Sequence, residues 1–298
     1  MLINAAICNF ENNGGGDREL WQRMHDRLAS LDLHLLLRQE VWDAQDNGNE
    51  LARAAEAVLG MAGLIGRDCC TALYHDPNLF TPADEFPDTG PMWVLPPTVR
   101  SLRLTGTAPG AVPLIVGSYH LNYCSTTTRL SEAERLTQWN DRWVKADGRR
   151  VHCPALLGGD NNSYPVPGAP GDPALPVLEE ITDEPHRAHR SYIGSDGMRR
   201  MDDRADDTLR TAGLQDVARH LATTTGNIAA VAATVDACFT HGPGSRIDRI
   251  YASRQLLPAV RDLEVIGMKG LSDHHTVVVR LDRDTLTDIL NNPIGRAV

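Results

Sequence analysis

Six short polar clusters stand at the ends of apolar runs, and their residue types suit a hard metal ion and a phosphate. In chain order they are Asn9 after LINAAIC, Gln39 and Glu40 after LHLLLR, and His120 after PLIVGSY. Asp160, Asn161 and Asn162 follow PALLGG, Arg246, Ile247 and Asp248 open RIDRIYAS, and Asp273 and His274 follow KGLS. An acid ending a buried strand is costly unless it is paired or bound to a cation. Glu40 is therefore a candidate metal ligand, since Mg²⁺ takes one or two carboxylates and keeps several waters. Asp160 can accept a hydrogen bond or a proton from water, and Asn162 can donate to a phosphoryl oxygen. His120 and Asn122 add a proton donor and an amide, and Asn9 adds another amide. Taken singly, each cluster has a plainer reading. Asp and Asn after Gly are common turn formers, and a loop His is commonly just exposed. Asp273 and His274 would point to opposite faces of a strand unless a turn bends them together. His274 and His275 are too close in sequence to share one tetrahedral zinc well.

The clusters need elements to position them. LINAAIC and LHLLLRQ read as strands buried on both faces. Between them Trp21, Met24, Leu28 and Leu31 recur at helical spacing after a possible Asp17 cap. GNELARAAEAVLG reads as the next helix, and CTALYH, TVRSLRL and VPLIVGSYHL as successive strands. A capping box at Ser131–Glu134 predicts a helix from Ser131 to Ala146, with Leu136, Trp139 and Trp143 on one face. CPALLGGD is a further strand whose two glycines are expected to let the chain turn before Asp160. Asp202 to Ala212 should be helical and stop at Gly213. RIDRIYAS and HTVVVRL are the last strands, followed by a helix over Thr285–Leu290. The Pro- and Gly-rich stretches 81–97 and 163–176 read as surface loops.

Composition sets limits. The 298 residues show no clear linker, and the expectation is one domain over 1–298. No apolar run reaches the roughly 18 residues needed to span a bilayer, and the start of the chain lacks signal-peptide features, so a cytoplasmic protein is expected. The six cysteines include no CxxC and are expected to be reduced, with Cys8 and Cys153 in the core and Cys69 and Cys70 too close for a usual pair. A net charge of −10 argues against a non-specific DNA-coating protein but not against a nuclease, because a bound metal can reverse the local sign. The stretch from Arg187 to Arg210 holds six arginines interleaved with aspartates. It reads either as a phosphate-contacting surface or as a solvated segment with internal ion pairs.

The order N…QE…H…GDxN…RIDxI…SDH, spread from Asn9 to His274, resembles the endonuclease/exonuclease/phosphatase superfamily. That group spans nucleases, sphingomyelinases and inositol polyphosphate phosphatases. The resemblance implies an α/β (α+β) fold, a four-layer α/β/β/α sandwich of two packed mixed β-sheets flanked by helices. It implies a metal site at Glu40, Asp273 and Asn9, with Mg²⁺ as the ion and Mn²⁺ as a substitute. Asn9 would also help to place the phosphate, and Asp160 would orient or deprotonate the attacking water. Asn162 and His274 would hold phosphate oxygens, Asp248 would bond His274, and His120 would contact phosphate or act as an acid. Asn122 and Arg246 are expected beside the substrate. The chain departs from the pattern at Asn161 and Arg249, where apolar or aromatic residues are usual, and the acid that often partners the His120 equivalent cannot be placed. The function implied is a metal-dependent phosphoester hydrolase, first a nuclease on DNA or RNA. A small-molecule or lipid phosphoesterase and a non-catalytic binding protein are the alternatives.

Overall fold

The computed structural model describes residues 1–86, 90–146 and 149–296. The first strands in chain order are β1 (Leu2–Asn9), β2 (Leu35–Gln39), β3 (Ala62–Ile65), β4 (Thr71–His75), β5 (Phe80–Glu85), β6 (Thr98–Leu104) and β7 (Leu114–His120). Then come β8 (Trp143–Ala146), β9 (Arg149–His152), β10 (Ala155–Asp160), β11 (Ser191–Ile193) and β12 (Arg199–Met201). The last are β13 (Leu214–Asp216), β14 (Asp248–Ser253), β15 (Val260–Ile266), β16 (Thr276–Asp282) and β17 (Gly295–Arg296). The helices are α1 (Arg18–Ala29), α2 (Asp46–Leu59), α3 (Thr126–Leu136), α4 (Glu184–His189), α5 (Arg204–Thr211), α6 (Val217–Thr224) and α7 (Arg283–Asn291).

Two six-stranded sheets pack face to face, in the orders β15-β16-β1-β2-β4-β3 and β13-β14-β10-β7-β6-β5. Both are mixed: β1 and β2 run parallel, as do β7 and β10, and the other neighbours run antiparallel. All five residues of β2 are buried, as a strand covered on both faces requires. Ile7 and Leu37 of the first sheet meet Leu157 and Ile250 of the second in the central core. Outside the first sheet, Trp21, Met24 and Leu28 of α1 pack on Ala6, Cys8 and Leu36. Asp17 caps α1 by accepting from the amides of Glu19 and Leu20, both at 3.0 Å. Outside the second sheet lie α5 and α6, with Tyr251 of β14 donating to Asp206 of α5 at 2.6 Å. The result is the sandwich the residue order implied.

Three local expectations change. The helix expected over Ser131–Ala146 starts earlier, at Thr126, and ends at Leu136. Asn122 Oδ1 accepts from the amides of Cys124 and Ser125 and turns the chain, and Ser125 Oγ then caps Thr128. Ser131 thus lies inside the helix, and Trp143 falls in strand β8 paired with His152. The glycines before Asp160 lie within β10 rather than in a turn. A Cβ on Gly158 would stand 2.4 Å from Ile7 Cγ2 of the facing sheet, and one on Gly159 1.8 Å from the Tyr119 carbonyl oxygen. Close sheet packing therefore demands them. Part of the 81–97 stretch is strand β5, with Pro82 on an edge strand where a missing N–H is tolerated; residues 87–89 lie outside the described residues. The 163–176 stretch is irregular, as expected. All six cysteines are free thiols. No helix among the described residues is long and apolar enough to cross a membrane.

Candidate active site

Sheet register builds the site. His120, Asp160 and Asp248 end or begin three adjacent strands and are directly paired across the second sheet: Asp160 with His120 on one side and Asp248 on the other. The facing sheet brings Asn9 at the end of β1, aligned with Gln39 of β2. Asn9 Nδ2 donates across the sheet interface to Asp160 Oδ2 at 3.3 Å. Gln39 stays in the interface, donating to Ser118 Oγ at 2.9 Å. Glu40 follows with φ of 56°, a left-handed backbone rare for non-glycine residues. That conformation ends the strand, and the Glu40 side chain lines the cleft, where its Oε2 accepts from the Asn12 amide at 2.8 Å. Asn162 is similarly left-handed at 49°.

The closing Asp273–His274 pair sits in a turn before β16, so both side chains reach the same cleft rather than opposite faces. Ser272 fixes this turn. Its hydroxyl donates to the Asn9 carbonyl at 3.1 Å and accepts from the His274 amide at 3.2 Å. His274 then bridges two carboxylates: Nδ1 lies 2.9 Å from Asp248 Oδ2, and Nε2 4.0 Å from Asp160 Oδ2. Burial favours the neutral imidazole, but the bonded Asp248 and the nearby Asp160 and Asp273 outweigh it and raise His274 to about 10. Burial pushes Asp248 up against the pull of the imidazolium. Asp160 moves the other way. Burial opposes its charge, yet His120 at 3.4 Å, then His274 and Arg190, hold its carboxyl well below the usual range. The Asn162 amide adds a bond to Asp160 Oδ1 at 2.6 Å. His120 is also raised: burial lowers it, and Asp160 more than reverses that. No carboxylate bonds His120 Nδ1, which is buried without a partner. The buried Glu132 is spent on the amides of Val94 and Asn122.

Among the described residues, Asp160, Asp248 and His274 form the grouping of three ligand-type side chains whose atoms lie within 4.8 Å of one another. It reads better as a charged imidazole held between two acids, since Nδ1 is committed to Asp248. A hard cation fits elsewhere in the cleft. Glu11, Glu40 and Asp273 line it together, and Glu11 is raised first by Asp273, then by burial and Glu40. Asn9 Oδ1 is buried with no partner. Crowded carboxylates are the hard oxygen donors that Mg²⁺ takes, and the Asn9 amide oxygen is a further unbonded acceptor at the end of β1.

The cleft has a volume of ≈ 480 Å³ and is also lined by Trp42, Tyr123, His186, Arg190 and His241. His186, Arg190 and His241 follow no long apolar run, while Glu11, Trp42 and Tyr123 stand two or three residues beyond the marked positions Asn9, Glu40 and His120. Two expected substrate contacts lie elsewhere. Arg246 is enclosed by Asp172 and Asp216, each at 2.7 Å, and ties the loop before β14 to β13. Asn122 is buried and spends its side-chain oxygen on the turn before α3. Five of the six arginines from Arg187 to Arg210 are internally bonded: Arg187 to the Ile181 carbonyl, Arg199 to Ser191, Arg200 to Asp196, Arg204 to Asp202 and Arg210 to Asp206. Arg249 and Asn161, the departures from the pattern, are buried scaffold residues. Arg249 bonds Tyr251 and the Ser163 carbonyl, and Asn161 bonds the carbonyls of Gly159 and Ile247.

No protein-family model matches the chain, and no curated protein does. Solved structures do. An AP endonuclease from Archaeoglobus fulgidus superposes with a TM-score of 0.60 at 17% identity, covering 94% of this chain and 99% of that one. The 3′ phosphatase NExo from Neisseria, bound to a product DNA hairpin, gives 0.61 at 16% identity over 94% and 99%. An endonuclease/exonuclease/phosphatase family protein from Bacteroides thetaiotaomicron gives 0.56 at 16% identity over 94% and 97%. The chain has the DNase I-like fold of the endonuclease/exonuclease/phosphatase proteins.

Proposed function

We propose that the protein is a divalent-metal-dependent phosphoester hydrolase that cleaves nucleic-acid phosphodiesters by in-line attack of water. The observation that carries the reading is the charged His274 imidazole held between Asp248 and Asp160, in a cleft that also gathers Glu11, Glu40 and Asp273. Glu40, Asp273, Glu11 and Asn9 Oδ1 would hold a cation, with Mg²⁺ best suited and Mn²⁺ as substitute, which would neutralise the phosphate and the leaving oxygen. Asp160 accepts a hydrogen bond from the attacking water and aligns it with phosphorus. Its depressed pKa makes it an orienter more than a proton acceptor. The new bond joins the water oxygen to phosphorus as the bond to the leaving oxygen breaks, and the proton that the water sheds ends, through solvent, on the leaving oxygen. His274 and Asn162 donate to the non-bridging oxygens as their charge builds, where fixed donors help most. Asp248 keeps His274 charged, and Asn9 and His120 hold the Asp160 carboxylate in place.

The nucleic-acid substrate rests on Trp42 and the exposed Tyr123 at the cleft, both surfaces on which a base can stack. A small or lipid phosphoester is the second reading. It is favoured by the net charge of −10 and by the internal bonding of all but one arginine in the Arg187–Arg210 stretch. Nicking of supercoiled plasmid and hydrolysis of a panel of small phosphoesters, each with Mg²⁺ and with EDTA, test this. Cleavage of the plasmid in Mg²⁺ alone supports the first reading, and hydrolysis confined to the panel supports the second. No metal-dependent hydrolysis of either would make the protein a binding member of the fold.

A further inference from the structure

Among the described residues, Arg190 is the one arginine of the Arg187–Arg210 stretch whose side chain has no bonded partner. It is 7% exposed and lines the cleft. Its Nη1 is buried with no hydrogen-bond partner, and its side chain makes no ion pair among the described residues. The reason lies beneath it. Asp202 pairs with it through the backbone, its amide donating to the Arg190 carbonyl at 2.9 Å. Its two carboxylate oxygens are already taken: Oδ2 by Arg129 at 3.0 and 3.1 Å, and Oδ1 by Arg204 at 2.7 Å. Asp160 feels its charge but does not bond it, and a buried guanidinium with an unbonded Nη1 is costly, so the site suits an anion that arrives from outside.

The neighbours of Arg190 agree with an anion and not with a metal. His241 Nε2 lies 2.7 Å from His186 Nε2, and His186 Nδ1 lies 3.0 Å from Asp183 Oδ1. Asp183, as the acceptor, keeps a proton on His186 Nδ1, and the His241 ring stays neutral in its contact with His186. Burial first, then Arg190 and His186, lower His241 to about 4, which agrees. The Asp183 carboxylate also accepts the His186 amide at 2.8 Å, so it is spent within its own turn. The His241 ring is neutral, so Arg190 is the charge this side of the cleft presents, and its positive sign attracts an anion and disfavours a metal ion. None of Arg190, His186, His241 or Tyr123 is hydrogen bonded to Asp160, Asp248 or His274, whose environment already serves the phosphate being cleaved.

We propose that Arg190 anchors a second phosphate of the substrate, adjacent to the one undergoing hydrolysis. The inference rests on the phosphoester-hydrolase reading above. It narrows the substrate to molecules with at least two phosphates in series, such as oligonucleotides or terminally phosphorylated nucleotides. A planar guanidinium offers two parallel donors to a phosphate, which makes Arg the residue suited to that grip.

Three dinucleotides test it. TpT carries only the scissile phosphate, while pTpT and TpTp add one on either side. In the wild type one of the two added phosphates should raise kcat/KM by about tenfold to 100-fold, mostly through KM. In Arg190→Gln that advantage should fall to less than about threefold, and Arg190→Lys should recover part of it. The comparison is a ratio between substrates for each protein, so a partly destabilised variant still reports. If Arg190→Gln does not fold, the absence of any advantage in the wild type or its full retention in Arg190→Lys overturns the inference, and partial recovery in Arg190→Lys supports it. An undiminished advantage in Arg190→Gln, or no advantage in the wild type, overturns the inference alone. A wild type that cleaves none of the three in Mg²⁺ overturns the nucleic-acid reading and the inference with it.

Discussion

Replacing Asp248 with Asn should move the pH range in which the protein works. Asp248 Oδ2 lies 2.9 Å from His274 Nδ1, and both side chains are buried. Raising an imidazole from its ordinary 6.5 to about 10 corresponds to about 5 kcal/mol in favour of the charged form, at about 1.36 kcal/mol per tenfold. Burial acts in the opposite sense, so the carboxylates of Asp248, Asp160 and Asp273 supply all of that preference, and bonded Asp248 has the largest share. An amide of the same shape carries no charge, and the burial remains. His274 in Asp248→Asn therefore titrates well below the wild-type value, with Asp160 and Asp273 still favouring the charged ring. At about pH 8 the wild-type imidazole is essentially all charged, and for each unit by which the variant's pKa falls below 8 the rate there should drop about tenfold. The loss should shrink as pH drops toward about 5.5. The assay is kcat against pH for bis(p-nitrophenyl) phosphate in saturating Mg²⁺, with the His274 ring nitrogens followed by NMR. Stability should show the same linkage. A group raised in the folded state stabilises fully below its unfolded pKa, about 6.5, and loses that contribution as pH rises through about 10. The wild type should therefore lose Tm on passing about pH 10 more steeply than Asp248→Asn. A variant whose alkaline limb stays near 10, or whose loss is the same at every pH, would refute the reasoning.

Glu40→Gln removes the best-placed hard ligand while leaving an acceptor for the Asn12 amide; calorimetric Mg²⁺ or Mn²⁺ affinity should weaken by about 10-fold to 100-fold or more, and unchanged affinity would place the ion elsewhere. Asp160→Ala takes the water-orienting carboxylate from between His120 and His274 and should cost about 3–5 kcal/mol in transition-state stabilisation, read as kcat/KM on the same diester. Gly159→Ala places a Cβ 1.8 Å from the Tyr119 carbonyl oxygen inside the sheet. Urea unfolding should show a loss of about 3 kcal/mol or more, and a neutral outcome would mean that β7 and β10 are less tightly packed than described.

Much of this was legible in the sequence because β-strands carry chemistry at their ends and the register does the rest. His120, Asp160 and Asp248 each stood where an apolar run met a polar residue, and the sheet places those three side by side. What stayed hidden depends on contacts between distant segments. Arg246 resembled a substrate residue because its motif borders Asp248, yet Asp172 and Asp216 enclose it. Arg190 looked like one of six equivalent arginines; only the double use of Asp202 by Arg129 and Arg204 singles it out. Glu11, His186 and His241 come from short turns and a short helix, which have no periodic pattern to betray them. Ser131 to Ala146 misled because a capping box is a local signal, and the stronger cap at Ser125 is set by Asn122 several residues earlier. The glycines of β10 belong to sheet packing that no local pattern states.

The most direct test of the account is a crystal of the protein soaked with Mn²⁺ and phosphate, mapped by anomalous scattering. The account predicts manganese bound to a Glu40 oxygen at about 2.2 Å, with Asp273 or Asn9 Oδ1 in the same shell, and a phosphate against His274 and Asn162. Manganese more than about 5 Å from Glu40, or seated between Asp160, Asp248 and His274 in place of the imidazole bridge, would contradict it.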